Sequence, residues 1–423
     1  MRVVVIGSGI VGAGAAYHLS RRGAAVTVVD GGYPGEATQA GAGIVCPWVD
    51  HPEDDDWYRL TREGARHYPG LVEELGEDIG YAKVGALLVA EDPVDLEPVR
   101  ALLRRRYAGA PEMGEVVDVA TPAELFPPLS DTLSALLVPG AARVDGRSVR
   151  DALLAAAVAR GAEVRTGTAT LTQDGHVLLH PADHPETSAP TPPPPAPALS
   201  GRALAGTTPA GTGPSATVPA GEASWRQAAP LHLGAPAMPG GRQEPLSEGA
   251  PLEADAVIVA AGAWTGEVCR PLGVELPVFP RRGQILHATL EGVDTAWWPI
   301  ILPRMGPYLL GFPDSRVVVG ATVEDVGFAP RVTVGGLDEV IEAGLRVAPG
   351  LAGATVSETR VGLRPVYAPG CALIGPVTDR VVVATGLSAY GLTAGPFTGE
   401  LAAALALGER PPIDITPYRP PTG

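Results

Sequence analysis

Residues 3–30 read VVVIGSGIVGAGAAYHLSRRGAAVTVVD, and this stretch decides the fold. Val3 to Ile6 is an unbroken β-branched run, the composition of a strand buried on both faces of a parallel sheet. Ile10 to Arg22 is rich in alanine and closed by Gly23, which predicts a helix. Ala25 to Val29 predicts a second strand, ending on Asp30. Strand, helix and strand in this order call for a parallel pair joined by a right-handed crossover. Between the first strand and the helix lies Gly7-Ser8-Gly9-Ile10-Val11-Gly12, which matches GxGxxG. In a chain with 54 glycines the string alone is weak; its place between strand and helix gives it meaning. Gly7 permits the tight turn, Gly9 lets the backbone approach a pyrophosphate, and Gly12 lets helix and strand pack closely. The helix N-terminus offers free N–H groups and partial positive charge to phosphates. Asp30 is placed to accept from ribose hydroxyls. No arginine follows it to receive a 2′-phosphate, which disfavours NADP.

Three later segments separate FAD from NAD. In ATQAGAGIV, Ala37 to Val45, small residues let a loop run along a pyrophosphate and an isoalloxazine. From Val257 to Trp264 a buried strand ends in the turn AAGAW. Near the C-terminus, VVVATGLSAYGLTAGP predicts a strand, a glycine loop and a helix. That helix brings a second N-terminus to the cofactor, suited to the flavin N1–C2=O region.

The length, 423 residues, allows two to three domains, and 45% apolar residues suffice for a sizeable core. A formal net charge of −16 argues against nucleic acid and against a polybasic membrane patch. Cys46, Cys269 and Cys371 make no disulfide framework and fit a reducing compartment. No Cys/His cluster has metal-ligand spacing, so no metal is expected. Met1 and Arg2 lead straight into the first strand, leaving no room for a separate signal peptide, and no run of eighteen apolar residues follows. The expected location is cytoplasmic, with no transmembrane span.

Along the chain, residues 31–50 read as a loop, and Asp55 to Leu75 as a helix. KVGALLVAE reads as a strand and PVDLEPVRALLRRRYAG as a helix. VDGRSVRDALLAAAVARGAEVRTGTATLT reads as loop, helix, turn and strand. Residues 181–251, with about a third of the chain's 45 prolines, cannot bury enough surface to order themselves. They are expected to be a flexible insertion between two strands, with a partner-binding polyproline segment as the alternative. QILHATL and SRVVVGATV predict strands and LDEVIEAGLRVAP a helix. The chain ends with GLRP, a strand at RVVVATG and a helix from about Thr393 to Leu407.

These motifs, in order and spacing, resemble the D-amino-acid oxidase-like FAD oxidoreductases, which include glycine oxidase, sarcosine oxidase and D-amino-acid dehydrogenase. The resemblance rests on residues 3–30, on AVIVAAGAWTGEV followed by PVFPRRGQIL, and on GLRPVYAPGCALIGPV followed by VVVATGLSAYGLTAGPFTGELAA. It covers nearly all of the chain outside 181–251. It implies an α/β fold with a Rossmann-like, glutathione-reductase-type FAD domain and a second, mixed, largely antiparallel sheet domain for substrate. The FAD domain would take 1–85, 141–180, 252–274 and 351–423; the substrate domain would take 86–140 and 275–350. By resemblance, Gly7, Ser8, Gly9, Ile10 and Gly12 hold the pyrophosphate and Asp30 the adenosine ribose. Thr38, Gln39, Ala40, Ala42, Gly43 and Ile44 line phosphates and flavin, and Thr170 meets the adenine. Ala261, Gly262 and Trp264 form the adenosine-side turn. Gly386, Ser388, Ala389, Tyr390, Gly391, Leu392 and Thr393 close over the flavin.

Arg364, in GLRP, matches the family arginine that pairs with a substrate carboxylate. A second arginine of glycine oxidase is replaced here by Ala389 and Tyr390, and Ile300 stands near the place of a pocket tyrosine. Tyr390, Trp298, Arg304 and Tyr308 become candidate pocket residues. The sarcosine-oxidase tethering cysteine has no match, because Cys371 falls after its position, so FAD is expected to be non-covalent. The implied reaction is oxidation of a C–N bond beside a carboxylate. The substrate binds as the neutral amine, hydride passes from Cα to flavin N5, and the imine hydrolyses. No dedicated base is required. The donor is a small amine or amino acid, and the acceptor is oxygen or another oxidant. Oligomeric state is open, a homo-oligomer included. Two other readings stand beside this one: oxidation of a tailored secondary amine or biosynthetic intermediate, and a flavin-binding scaffold acting through the Pro-rich segment.

Overall fold

Val3, Val4 and Val5 are 1%, 2% and 0% exposed, as expected for a strand covered on both faces. The computed structural model describes residues 1–76, 78–181, 249–304, 306–368, 370 and 372–421. The strand Arg2–Ile6 lies inside an eight-stranded sheet. Its parallel neighbours are Ala25–Asp30 and Ala256–Val259, and the parallel run extends to Glu163–Leu171 on one side and Val381–Thr385 on the other. Antiparallel strands finish both edges: Val177–Pro181 and Ala250–Leu252 at one, Leu373–Pro376 at the other.

Helix Ile10–Arg21 is buried from Ile10 to Ser20, because it packs on the sheet and against helices Gly146–Val158 and Gly391–Ala406. Small residues permit the closest of these approaches: a Cβ on Gly399 would lie 2.5 Å from the backbone nitrogen of Ala15. Helix Asp55–Leu75 carries a capping Asp54, whose carboxylate accepts from Trp57 N at 2.8 Å, and it packs on Gly391–Ala406.

A second eight-stranded sheet is mixed and largely antiparallel. Its order is Thr355–Tyr367, Val278–Thr289, Arg316–Gly320, Tyr308–Gly311, Ile300–Pro303, Ala86–Ala90, Ser134–Val138, Val117–Val119. Only Ile300–Pro303 and Ala86–Ala90 run parallel. Helix Val334–Val347 seals one face, with Val340 and Val347 in one apolar cluster with Leu286, Val317 and Val319. Both sheets lie in one compact unit, Met1–Ala182 with Gln243–Gly423. No helix among the described residues is long and apolar enough to cross a membrane.

Three expectations change. GLRP lies in Thr355–Tyr367, in the second sheet, so that sheet takes residues from the 351–423 segment assigned to the nucleotide domain. The reason is pairing: residues 355–367 form a long antiparallel ladder with 278–289, Arg364 opposite Arg281. The 31–50 loop contains a helical turn, Ala37–Ala40, and a short strand, Ile44–Val45, which pairs with Ala142–Arg143. The edges of the Pro-rich insertion are strands, since Ala250 pairs with Leu179 and Pro181 with Gly167. Residues 182–248 lie outside the described residues.

Candidate active site

The parallel strands end on one side at Ile6, Asp30, Ala260 and Thr385, all of which line a cavity of about 770 Å³. Ligands of open α/β sheets bind at the carboxyl ends of the strands. At the first strand, Gly7 has φ +100°, and its N–H donates to Val29 O at 2.8 Å. A Cβ on Gly7 would lie 2.5 Å from Ala260 O, and one on Gly12 would overlap the carbonyl oxygen of Gly7. Only glycine at both positions allows strand, turn and helix to close this tightly.

Helix Ile10–Arg21 begins here with no side-chain cap on Gly9 and no acidic residue in its first turn. Thr38 Oγ1 accepts from Ile10 N at 2.9 Å. The cavity reaches Gly7, Ser8, Gly9, Ile10 and Val11, so the positive end of the helix faces it, as a pyrophosphate requires. Asp30 is partly engaged by the chain: its Oδ2 accepts from Ser8 N at 2.6 Å and its Oδ1 from Gly32 N at 2.7 Å. A carboxylate has further lone pairs for a ribose. Glu36 lines the same region, and burial first, then the nearby Asp30, raise its pKa.

Thr170, Ala261, Gly262 and Trp264 line the cavity. The ring of Tyr33 stacks on Trp264, with centroids 5.6 Å apart. Ala40, Ala42, Gly43, Ile44, Ser388, Ala389, Gly391 and Leu392 form another part of the wall, with Tyr308 and Arg364. The turn before helix Gly391–Ala406 is held in unusual backbone conformations, Gly386 at φ +82° and Ser388 at φ +48°. This helix also begins without a side-chain cap or an acidic first turn.

Arg364 is half-buried. Its Nη1 donates to the backbone oxygens of Thr322 at 3.1 Å and Arg282 at 3.3 Å, and among the described residues it makes no ion pair. Tyr308 stands beside it; burial raises the phenol pKa, and the Arg364 charge opposes the rise. Behind them, Arg282 pairs with Glu324, which also accepts from Gln284 Nε2 and Thr322 Oγ1, each at 2.7 Å.

The other expected residues lie off the cavity wall. Gly12 packs behind the turn. Gln39 faces a separate hollow beside Arg147, Glu358 and Arg360, and its carbonyl accepts from Arg147 Nε at 3.2 Å. Gly386 supports the wall from behind, where a Cβ would lie 2.9 Å from Tyr367 Cβ. Thr393 Oγ1 donates to Ile44 O at 2.9 Å. Tyr390 turns away: its hydroxyl donates to Asp50, its ring meets Trp57 and His51, and burial holds its pKa well above the ordinary phenol value. Trp298 packs on Phe126 with centroids 4.5 Å apart in the apolar core of the second sheet. Arg304 is exposed at a strand end.

Sequence reasoning passed over Arg150, whose Nε donates to Ser8 O at 3.0 Å and Nη2 to Ser8 Oγ at 2.8 Å. It also passed over Tyr33, Glu36, Gly283 and Ile285, all on the wall. Gly283 carried a signal, its place in the motif PRRGQIL; Arg150 carried none.

Residues 2–187 and 232–405 match the model of the FAD dependent oxidoreductase family. The chain belongs to this family. It is 37% identical to an uncharacterized oxidoreductase, YurR, of Bacillus subtilis, over 99% of this chain and 98% of that protein. It is similar to the solved structure of iminodiacetate oxidase from a Chelativorans species, with 39% identity, a TM-score of 0.81 and 99% of each chain covered. Glycine oxidase of Geobacillus kaustophilus shares the fold, at TM-score 0.74 and 22% identity over 99% of this chain and 98% of that one. The chain is thus an FAD-dependent oxidoreductase, and the glycine cradle, the uncapped helix and the large cavity fit that cofactor.

Proposed function

We propose that this oxidoreductase oxidises the C–N bond of an amine bearing a neighbouring carboxylate, which Arg364 receives. The observation that carries this reading is the Arg364 guanidinium on the cavity wall, beside Tyr308 and without an acidic partner among the described residues. Its planar fork suits a carboxylate in two-point contact. The two backbone carbonyls that accept from Nη1 fix the fork's direction. Tyr308, on the same wall, carries a phenol O–H that can donate to the same carboxylate.

Residues Gly7 to Ile10, Asp30, the Ala40–Ile44 segment and the start of helix Gly391–Ala406 would hold FAD, which supplies the two-electron oxidation when bound. The first sheet serves the cofactor and the second covers the substrate. The chain itself binds, orients and excludes water; no side chain on the wall is required as a dedicated base. Non-covalent FAD belongs to this reading, and it is supported by Cys46 and Cys269, buried free thiols that lie off the cavity wall. Burial pushes the Cys269 pKa up to about 12 and that of Cys46 higher still than an ordinary thiol. Cys371 lies outside the described residues.

A second reading names a secondary amine flanked by two carboxylates. The likeness to iminodiacetate oxidase along 99% of both chains favours it.

Anaerobic flavin bleaching tests both readings, with iminodiacetate, sarcosine, glycine, proline and D-amino acids as donors. Bleaching by a carboxylate-bearing amine supports the proposal, and iminodiacetate ahead of glycine supports the second reading. Recovery in air assigns oxygen as acceptor. No bleaching by any donor, or Arg364→Leu with unchanged kinetics, overturns it.

A further inference from the structure

Three side chains that no reading of the cofactor site uses meet on the helices behind it. His18 is on Ile10–Arg21, His67 on Asp55–Leu75 and Glu400 on Gly391–Ala406. One ligating atom from each lies within 4.8 Å of the other two, the one such group of three or more His, Cys, Asp or Glu side chains among the described residues. His18 is 3% exposed. Its Nε2 and that of His67 are buried with no hydrogen-bond partner among the described residues. Burial of two imidazole nitrogens without partners is unfavourable and calls for a ligand or ion that the side chains themselves do not supply. The rings do not bond each other; their centroids are 5.2 Å apart and tilted by 44°. His67 Nδ1 and Glu400 Oε2 are 3.6 Å apart, too long for a good hydrogen bond. Two ligand atoms on one tetrahedral zinc ion are separated by about 3.3 Å, given bonds near 2.0–2.1 Å.

We propose that His18, His67 and Glu400 bind a divalent transition-metal ion of the zinc class. Two imidazoles and a carboxylate are a borderline donor set that zinc accepts, leaving a fourth position for water. Water can reach it, because the His67 and Glu400 side chains are 17% and 21% exposed. Arg22 Nη2 donates to Glu400 Oε1 at 3.2 Å and so turns the other oxygen toward His67. The positive charges nearby are themselves paired, Arg22 also with Glu409 and Arg21 with Glu74. The ion would pin together three helices, two of which begin at the cofactor cavity.

The test uses untagged holoenzyme, freed of metal by dialysis against a chelator and titrated calorimetrically with Zn²⁺. The expected result is one equivalent bound, a rise in Tm, and an X-ray absorption edge spectrum of the 1:1 complex fitted by two imidazoles. Glu400→Gln and His67→Gln, each checked for full flavin content, are expected to lose that equivalent. His176→Ala, an exposed histidine elsewhere, keeps it. No stoichiometric binding by the parent protein, retention of the equivalent in both variants, or a spectrum without imidazole ligands overturns the proposal. The spectrum of the parent protein decides the matter even if a variant fails to fold.

Discussion

A Cβ built on Gly283 falls 2.5 Å from Cζ of Arg364, so the absence of a side chain at 283 makes room for the guanidinium. Gly283 pairs with Gly362, two residues before Arg364, on the strand that carries it. Gly283→Ala is therefore expected to push the guanidinium out of line while leaving it charged. We expect KM for a carboxylate-bearing donor to rise on the order of tenfold, about 1.4 kcal/mol. The flavin spectrum should be unchanged. Steady-state kinetics with the best donor from the bleaching panel checks this, and an unaltered KM refutes the positioning role.

Gly12→Ala addresses the other end of the site. The new methyl group would overlap Gly7 O, so the turn must open. We expect a loss of about 1–3 kcal/mol of stability, the usual cost of overpacking. FAD content should fall in parallel. Absorbance at the flavin band relative to protein, with thermal unfolding of the apo and holo forms, measures both; full FAD retention would contradict the cradle.

Tyr390→Phe separates a structural tyrosine from a pocket one. The hydroxyl is committed to Asp50 and the ring to Trp57 and His51. Stability should fall by about 1.5–3 kcal/mol, the range for a hydrogen bond to a charged group. Donor KM should not change. A marked KM effect with intact stability would return Tyr390 to the substrate pocket.

Glu324 gives the protein a defined acid limb. Its bonds from Arg282, then from Gln284 and Thr322, hold its pKa down at about 2, against an ordinary 4.5, although partial burial works the other way. A carboxylate depressed on folding stabilises the native state fully above its unfolded value. That contribution is lost as pH falls through the folded value. Between about pH 4.5 and pH 2 the wild-type protein should lose on the order of 2 kcal/mol from this group, allowing for screening at its 23% exposed side chain. Glu324→Gln should flatten the unfolding midpoint over that window. An identical acid limb in the variant would show that the carboxylate is not the source.

How much of this was legible depends on how local each signal is. GSGIVG is local: turn, helix start and flanking strands all lie within thirty residues, and steric demands at Gly7 and Gly12 are written in the residues themselves. The wall around Arg364 is not. Its direction depends on carbonyls at Arg282 and Thr322 and on space at Gly283, none near it in sequence. Tyr308 opens strand Tyr308–Gly311 and reaches the cavity, while Trp298 and Arg304 flank strand Ile300–Pro303 and do not, a difference that no local motif marks. His18, His67 and Glu400 come from three separated helices, so spacing rules for metal ligands had nothing to detect.

The paired strands Val177–Pro181 and Ala250–Leu252 have a consequence for the segment between them. Ala250 lies directly across from Leu179, so the chain leaves and re-enters the sheet at adjacent points. Whatever is spliced in between, its ends are already joined, and a change in its length adds only a slowly growing closure entropy. The oxidoreductase can in this way trade or lengthen that passage without disturbing the register of the sheet that carries its cofactor cradle.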